Sequence, residues 1–307
     1  MKTVQKQFLD KKRPKGKQDV HLQDYELVIT YYRQVIESNE SNTDAFVNLG
    51  FAYLDGEKFD DALDCFLKAV RLEPDNPESY NNLGYIYEKM DMFDAAKKNY
   101  EKASALNPSD PESVLNIANI IEQQGDYYGA VERYKKAIDM APDKPASHFC
   151  LAVLYDRHDM FDEAIAEYNA VINLKPDHAK ALYNLGRLYY QLGDYDNALN
   201  LFDKSLRYDP QNADAWNNLG SVFEGLQDFP KAVDAYRKAL EINPFHEDTN
   251  YNLSNIQFLI YKNHPEKVDL SDTVRRLQFV LSLNPKNSRI TKLLEGIHNT
   301  KKSQANQ

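Results

Sequence analysis

The sequence of 307 residues predicts an all-α protein, a regular array of about sixteen helices. Three observations predict it: a strict repeat length, helical spacing of apolar residues within each repeat, and small and aromatic residues that recur in register. The repeat length is set by prolines that recur every 34 residues, at Pro74, Pro108, Pro142, Pro176, Pro210 and Pro244.

A small residue, called the anchor below, recurs with the same period: Gly50, Gly84, Ala118, Ala152, Gly186, Gly220 and Ser254. An alanine series runs in parallel, at Ala62, Ala96, Ala130, Ala164, Ala198 and Ala232. Aromatic residues form a third series: Phe66, Tyr100, Tyr134, Tyr168, Phe202 and Tyr236. Small residues in register mark places where two helices approach closely, and large residues fill the space beside them.

Each repeat contains two helices, because its apolar residues recur at spacings of three and four rather than alternating. The first helix is expected to begin where Asn76 or Asp110 can cap it and Pro77 or Pro111 can occupy the first helical position. The second helix is expected to run to the residue before the next periodic proline, which has no N–H to donate.

A 34-residue pair of helices with these small, aromatic and proline positions resembles the tetratricopeptide repeat (TPR) family over roughly residues 24 to 300. The resemblance implies a right-handed superhelical solenoid with a concave groove lined by the first helices. The expected segments are a basic arm (1–22), a half repeat (23–40), six full repeats (43–246), a seventh repeat with a seven-residue insertion (247–287), a capping helix (288–300) and a tail (301–307).

The resemblance places candidate peptide-binding residues on the first helices. Two residues before the anchor, six of seven repeats carry asparagine: Asn48, Asn82, Asn116, Asn184, Asn218 and Asn252. An amide both donates and accepts, so it can hold the backbone of a bound peptide. The series is similar to the asparagine ladder in the TPR part of O-linked N-acetylglucosamine transferases. Asparagine is also common at this position throughout the family, so a purely structural role stays open.

A basic island is the second candidate on this face. Six residues before the anchor the chain is acidic except in the middle of the array, where Lys180 stands. Lys180, Arg157 and Arg187 are expected to cluster there with Tyr183 and Tyr190, and could receive a carboxylate or phosphate of a partner. The alternative is that the three charges are solvated and only balance an acidic body.

Composition argues against several other functions. Residues 18–307 carry 30 Lys and Arg against 46 Asp and Glu, so no nucleic-acid partner is expected. Two cysteines form no disulfide framework, and no stretch is apolar enough to insert into a membrane. No phosphate-binding glycine loop or metal-ligand spacing is present, which predicts no cofactor, no metal and no enzyme activity.

The predicted function is therefore a cytoplasmic scaffold that binds segments of one or more proteins in the groove. A non-catalytic targeting subunit of a modifying enzyme is an alternative, suggested by the asparagine series. A self-assembling structural protein is another, in which copies of the chain form homo-oligomers. The stretch "KKRPK" in the basic arm leaves nuclear localisation open.

Overall fold

A computed structural model describes residues 18–305, with side chains for residues 25–303. This range holds sixteen α-helices and no strand, which confirms the all-α prediction. The helices are α1 (Gln18–Ser38), α2 (Thr43–Asp55), α3 (Phe59–Leu72), α4 (Pro77–Lys89), α5 (Phe93–Leu106), α6 (Pro111–Gln123), α7 (Tyr127–Met140), α8 (Pro145–Arg157), α9 (Phe161–Leu174), α10 (Ala179–Gln191), α11 (Tyr195–Tyr208), α12 (Ala213–Gly225), α13 (Phe229–Ile242), α14 (Glu247–Asn263), α15 (Ser271–Leu283) and α16 (Ser288–Ala305).

From α2 to α13 the helices alternate in length. The first helix of each repeat has 13 residues and the second has 14. One residue in each turn between them has a left-handed φ between 57° and 82°: Glu57, Asp91, Gly125, Asp159, Gly193 and Gln227. Gly125 and Gly193 adopt this conformation at no steric cost. In the other four turns a residue with a Cβ atom adopts it, which is sterically less favourable.

The first helices begin at the predicted caps. The Asn76 side chain accepts a hydrogen bond from the Glu78 N–H at 2.9 Å, and Pro77 occupies the first helical position. Asp110 accepts from the N–H groups of Glu112 and Ser113 in the same way. These contacts satisfy N–H groups that have no partner within the helix.

The chain divides into two compact units. Unit 1 comprises the described residues up to Pro142 and contains α1 to α7, and unit 2 comprises those from Asp143 onward and contains α8 to α16. Within each unit, consecutive helices pack against each other, and first helices of successive repeats also touch. These first-helix contacts join α2 to α4 in unit 1, and α10 to α12 and α12 to α14 in unit 2.

The anchors are points of close approach, as the sequence predicted. A Cβ atom added to Gly84 would lie 2.6 Å from Cε1 of Tyr100, and one added to Gly220 would lie 2.5 Å from Cε1 of Tyr236. Both tyrosines are completely or almost completely buried. In these two helix pairs an aromatic ring therefore occupies the space that the missing side chain of the glycine leaves.

The two ends of the array depart from the regular repeat. Helix α14 has 17 residues, and residues 264–270, including a short 3-10 turn at Pro265–Lys267, connect it to α15. Leu270 closes this connection and is fully buried. Helix α16 continues to Ala305, five residues past the predicted end of the capping helix. Helix α1 begins at Gln18, so it includes the last residues assigned to the basic arm, and residues 1–17 lie outside the described range.

Candidate functional site

Each first helix carries a stripe of three positions, six and two residues before the anchor and one residue after it. These positions are four and three residues apart, so they lie on one side of the helix. In α2 they are Asp44, Asn48 and Phe51, and in α4 they are Glu78, Asn82 and Tyr85. This set of positions is called the stripe below.

Aromatic rings from successive repeats meet on the stripe of unit 1. The Phe51 and Tyr85 ring centroids are 6.5 Å apart, and 39% and 38% of these side chains are exposed. Lys89, one turn after Tyr85, holds its ammonium group 5.1 Å from the Tyr85 ring centroid. The rings form a continuous apolar patch because α2 and α4 are in direct contact.

The polar positions of the unit 1 stripe have unused hydrogen-bonding capacity. Asn48 donates to the backbone carbonyl of Asp44 at 2.7 Å. Asn82 and Asn116 are half-buried, and their side chains make no hydrogen bond to any described residue. Asp44, Glu78 and Glu112 are exposed, and their carboxylates form no ion pair within the described chain. These positions therefore present unused hydrogen-bond donors and acceptors and unpaired negative charge.

In unit 2 the asparagines of the stripe bond to neighbouring repeats. Asn184 donates to the Tyr168 hydroxyl at 3.0 Å, and Asn218 donates to the Tyr183 hydroxyl at 3.1 Å. Asn252 donates to Oδ1 of Asn217 at 3.2 Å. Three of the six predicted ladder residues thus hold repeats together, and peptide binding by the ladder stays a prediction.

The basic island contains residues with different surroundings. Arg187 forms an ion pair with Asp156, whose carboxylate side chain is only 8% exposed. Lys180 is exposed at the start of α10 and Arg157 is exposed at the end of α8. Arg187 therefore neutralises a buried carboxylate and is less available to a ligand than the sequence predicted. Tyr183 and Tyr190 are half-buried, and burial raises the pKa of both hydroxyls.

Sequence reasoning missed a set of buried tyrosine hydroxyls that donate to carboxylates. Tyr100 donates to Glu88 at 3.0 Å, Tyr236 to Glu224 at 2.9 Å and Tyr134 to Glu122 at 2.5 Å. In each pair the acid stands 12 residues before the tyrosine. The signal was present in the sequence, because the acid accompanies the tyrosines of this series and not the phenylalanines, which have no hydroxyl. Phe66 and Phe202 have Leu54 and Tyr190 at the position of the acid. Burial raises the pKa of the Tyr100 and Tyr236 hydroxyls, so these two stay protonated and donate.

Two further asparagines, three residues before the anchor, bond across repeats rather than facing a ligand. Asn217 is buried and accepts from the Thr249 hydroxyl at 3.0 Å. Asn81 accepts from the Ser113 hydroxyl at 3.1 Å. In each case the next repeat supplies a hydroxyl, at a position where three of the seven repeats carry alanine, so the pair is a polar link between neighbouring first helices.

The described residues give no sign of a metal or nucleophile site. Among them, no group of three or more His, Cys, Asp or Glu side chains is placed to hold a metal ion. Burial raises the pKa of the Cys65 thiol to about 12, so it stays an inert packed group. Every helix in residues 18–305 is too short or too polar to cross a membrane.

Comparison with solved structures supports the repeat architecture. The chain is similar to the human IFIT1 dimer with PPP-AAAA, with 20% identity over 90% of this chain and 68% of that one and a TM-score of 0.61. It is similar to the C-terminal part of a TPR repeat-containing protein from Cytophaga hutchinsonii, with 19% identity, coverage of 80% and 98%, and a TM-score of 0.61. It is also similar to the Cut9–Hcn1 hetero-tetramer of the APC/C, with 16% identity over 88% of this chain and 52% of that one and a TM-score of 0.60. The chain therefore spans about half of that protein. At these identities the likeness concerns the fold.

Sequence profiles of known families identify the repeats directly. Profiles described as tetratricopeptide repeat match residues 77–110, 151–205 and 183–247. A profile described as TPR repeat matches residues 52–91 and 118–158. No curated protein matches the sequence. The matched segments cover more than half of the chain, one of them coincides with the repeat at residues 77–110, and the chain belongs to the tetratricopeptide repeat family.

Proposed function

We propose that this chain is a non-catalytic scaffold that binds extended segments of partner proteins along the stripe of its first helices. The observation that carries the proposal is the stripe of unit 1. Within the described residues, two of its amides make no hydrogen bond and its three carboxylates form no ion pair, and more than a third of the surface of its two rings is exposed. Members of this family are repeat proteins whose preformed surfaces lower the cost of ordering a bound segment.

Site-specific photo-crosslinking tests this proposal. A photoreactive phenylalanine analogue placed at Asn116, on the stripe of α6, is expected to crosslink partner proteins from the native cell extract. The same analogue at Lys98, an exposed residue on the second helix α5, serves as the matched control. Mass spectrometry of the crosslinked bands identifies the partner and the segment of it that lies on the stripe.

Comparing crosslinks at Asn116 with crosslinks at Lys98 distinguishes specific binding on the stripe from non-specific contact with the protein surface. Crosslinks at Asn116 that are absent at Lys98 would support the scaffold, and co-purified transferase activity in the same fraction would favour the targeting-subunit alternative. Equal crosslinking at both positions, or none at Asn116, would contradict binding on the stripe.

An exposed apolar patch in unit 2 favours self-association as a second candidate function. Phe245, Phe279 and Leu283 are 60%, 48% and 58% exposed, and the two rings are 5.8 Å apart. At the position of Phe279, five of the six full repeats carry lysine, and Lys238 there lies over the Trp216 ring at 4.3 Å. Exposed aromatic pairs of this kind are a common feature of protein interfaces.

Restoring the lysine tests this candidate. Phe279→Lys is expected to lower the molar mass measured by light scattering over a concentration series, because the patch loses its largest exposed ring. The patch takes no part in self-association if wild type and variant have the same mass at every concentration. Lys204→Ala changes the charge at the equivalent position of the repeat at residues 179–212. It serves as the control for altered charge on a second helix and is expected to leave the molar mass unchanged.

A further inference from the structure

We infer that the stripe of unit 1 takes a basic segment in an extended conformation, with an apolar side chain on the ring pair and positive charges at every third residue. This inference rests on the proposed function and names the chemistry of the partner. It starts from the contact between Phe51 and Tyr85, which join two successive repeats into one apolar seat.

The apolar seat fits a side chain that lies flat on aromatic rings. Phe51 packs its inner edge on the buried Phe66 at a centroid distance of 5.2 Å, so its ring is fixed before a ligand arrives. Tyr85 lies beside it with more than a third of its surface exposed. A proline or leucine side chain covers such a surface without needing a hydrogen-bonding partner.

Charge complementarity selects a basic segment. Asp44, Glu78 and Glu112 occupy the first position of the stripe in three consecutive repeats, and all three are exposed without an ion pair among the described residues. In unit 2 the same position holds Ala146, Lys180, and two acids that are already engaged. Asp214 contacts His246 at 2.8 Å and Asp248 contacts Arg289 at 3.1 Å. At this position unit 1 therefore has three carboxylates without a partner among the described residues, whereas both acids of unit 2 have one.

Helix spacing sets the spacing of the basic residues. Helices in contact lie about 8–10 Å apart in proteins. Because α2 and α4 are in contact, we expect successive carboxylates of the stripe to be separated by a similar distance. A polyproline II segment rises about 3.1 Å per residue with three residues per turn, so every third side chain points the same way at about 9 Å intervals. Its backbone makes no internal hydrogen bonds, which leaves its carbonyl and N–H groups for the amides of Asn82 and Asn116.

The test uses a fluorescein-labelled peptide with lysine at every third position, proline elsewhere and one central leucine. Wild-type protein is expected to bind it at low ionic strength, measured by fluorescence anisotropy. Glu78→Gln combined with Glu112→Gln is expected to weaken binding roughly fivefold to tenfold. The matched control is Glu101→Gln combined with Glu132→Gln, which removes the same charge from exposed positions on the second helices of unit 1 and is expected to bind as wild type does.

Two further comparisons examine the spacing and the apolar seat. A peptide of the same composition with its lysines consecutive is expected to bind more weakly, and equal binding would overturn the spacing of three. Tyr85→Ser is expected to weaken the leucine peptide more than a peptide with proline in place of leucine. No peptide binding by the wild type, or equal binding by both pairs of charge variants, would overturn the inference. Crosslinking at Asn116 in that case would leave the proposed scaffold intact, whereas its absence would remove both.

Discussion

Gly220→Val is expected to lower the free energy of unfolding by about 3 kcal/mol, because the added atoms overpack a closed contact. A Cβ atom there would lie 2.5 Å from Cε1 of Tyr236. The ring cannot swing aside freely, because its hydroxyl donates to Glu224 at 2.9 Å and contacts the Ser221 hydroxyl at 3.1 Å. Urea unfolding followed by circular dichroism at 222 nm measures the loss.

Gly296→Ala provides the control for this prediction. Gly296 also lies within a helix, but a Cβ atom there would be 3.4 Å from the nearest atom, which is an ordinary contact with Phe258. Alanine should therefore stabilise α16 by about 0.5–1 kcal/mol. An unchanged urea midpoint for Gly220→Val would mean that the helices of the sixth repeat separate more easily than their packing indicates.

Arg187→Met is expected to lower the free energy of unfolding by about 2 kcal/mol, because it leaves the Asp156 carboxylate without its counter-ion. Only 8% of the Asp156 side chain is exposed, and its other polar neighbour is the Tyr168 hydroxyl at 3.4 Å. The arginine is 33% exposed, so solvent screens part of the interaction and the loss is smaller than for a fully buried pair.

A second substitution separates this charge effect from lost packing. Adding Asp156→Asn to Arg187→Met removes the unpaired charge and keeps an acceptor for Tyr168, so most of the lost stability should return. The double-mutant cycle, measured by the same urea titrations, gives the coupling energy of the pair. A double variant no more stable than Arg187→Met would show that packing of the arginine, and not its charge, is what stabilises the repeat.

Helix pairing could be predicted almost completely from the sequence, because the signals that set it are local. The periodic prolines, the caps at Asn76 and Asp110, and the small anchors each act within a few residues. They place the regular helices and the close contacts of Gly84 and Gly220. The left-handed turn residues were less visible, since only Gly125 and Gly193 of the six are glycine.

The partners of the candidate site residues could not be predicted in this way. Asn218 and Asn82 hold equivalent positions in the sequence, yet one donates to a tyrosine 35 residues earlier and the other makes no hydrogen bond to a described residue. The difference depends on whether the neighbouring repeat supplies a hydroxyl in reach. Arg187 was assigned to an exposed island for the same reason, because its partner Asp156 lies in the preceding repeat.

The ion pair of Asp156 and Arg187 also limits how this array can gain, lose or exchange repeats. A tyrosine and the acid 12 residues before it, such as Tyr100 and Glu88, lie in the same repeat and are duplicated or deleted together. Asp156 and Arg187 lie in consecutive repeats, so recombination between residues 178 and 179 would separate a buried carboxylate from its counter-ion. Repeats 145–178 and 179–212 should therefore be inherited, and transplanted into other arrays, as one block.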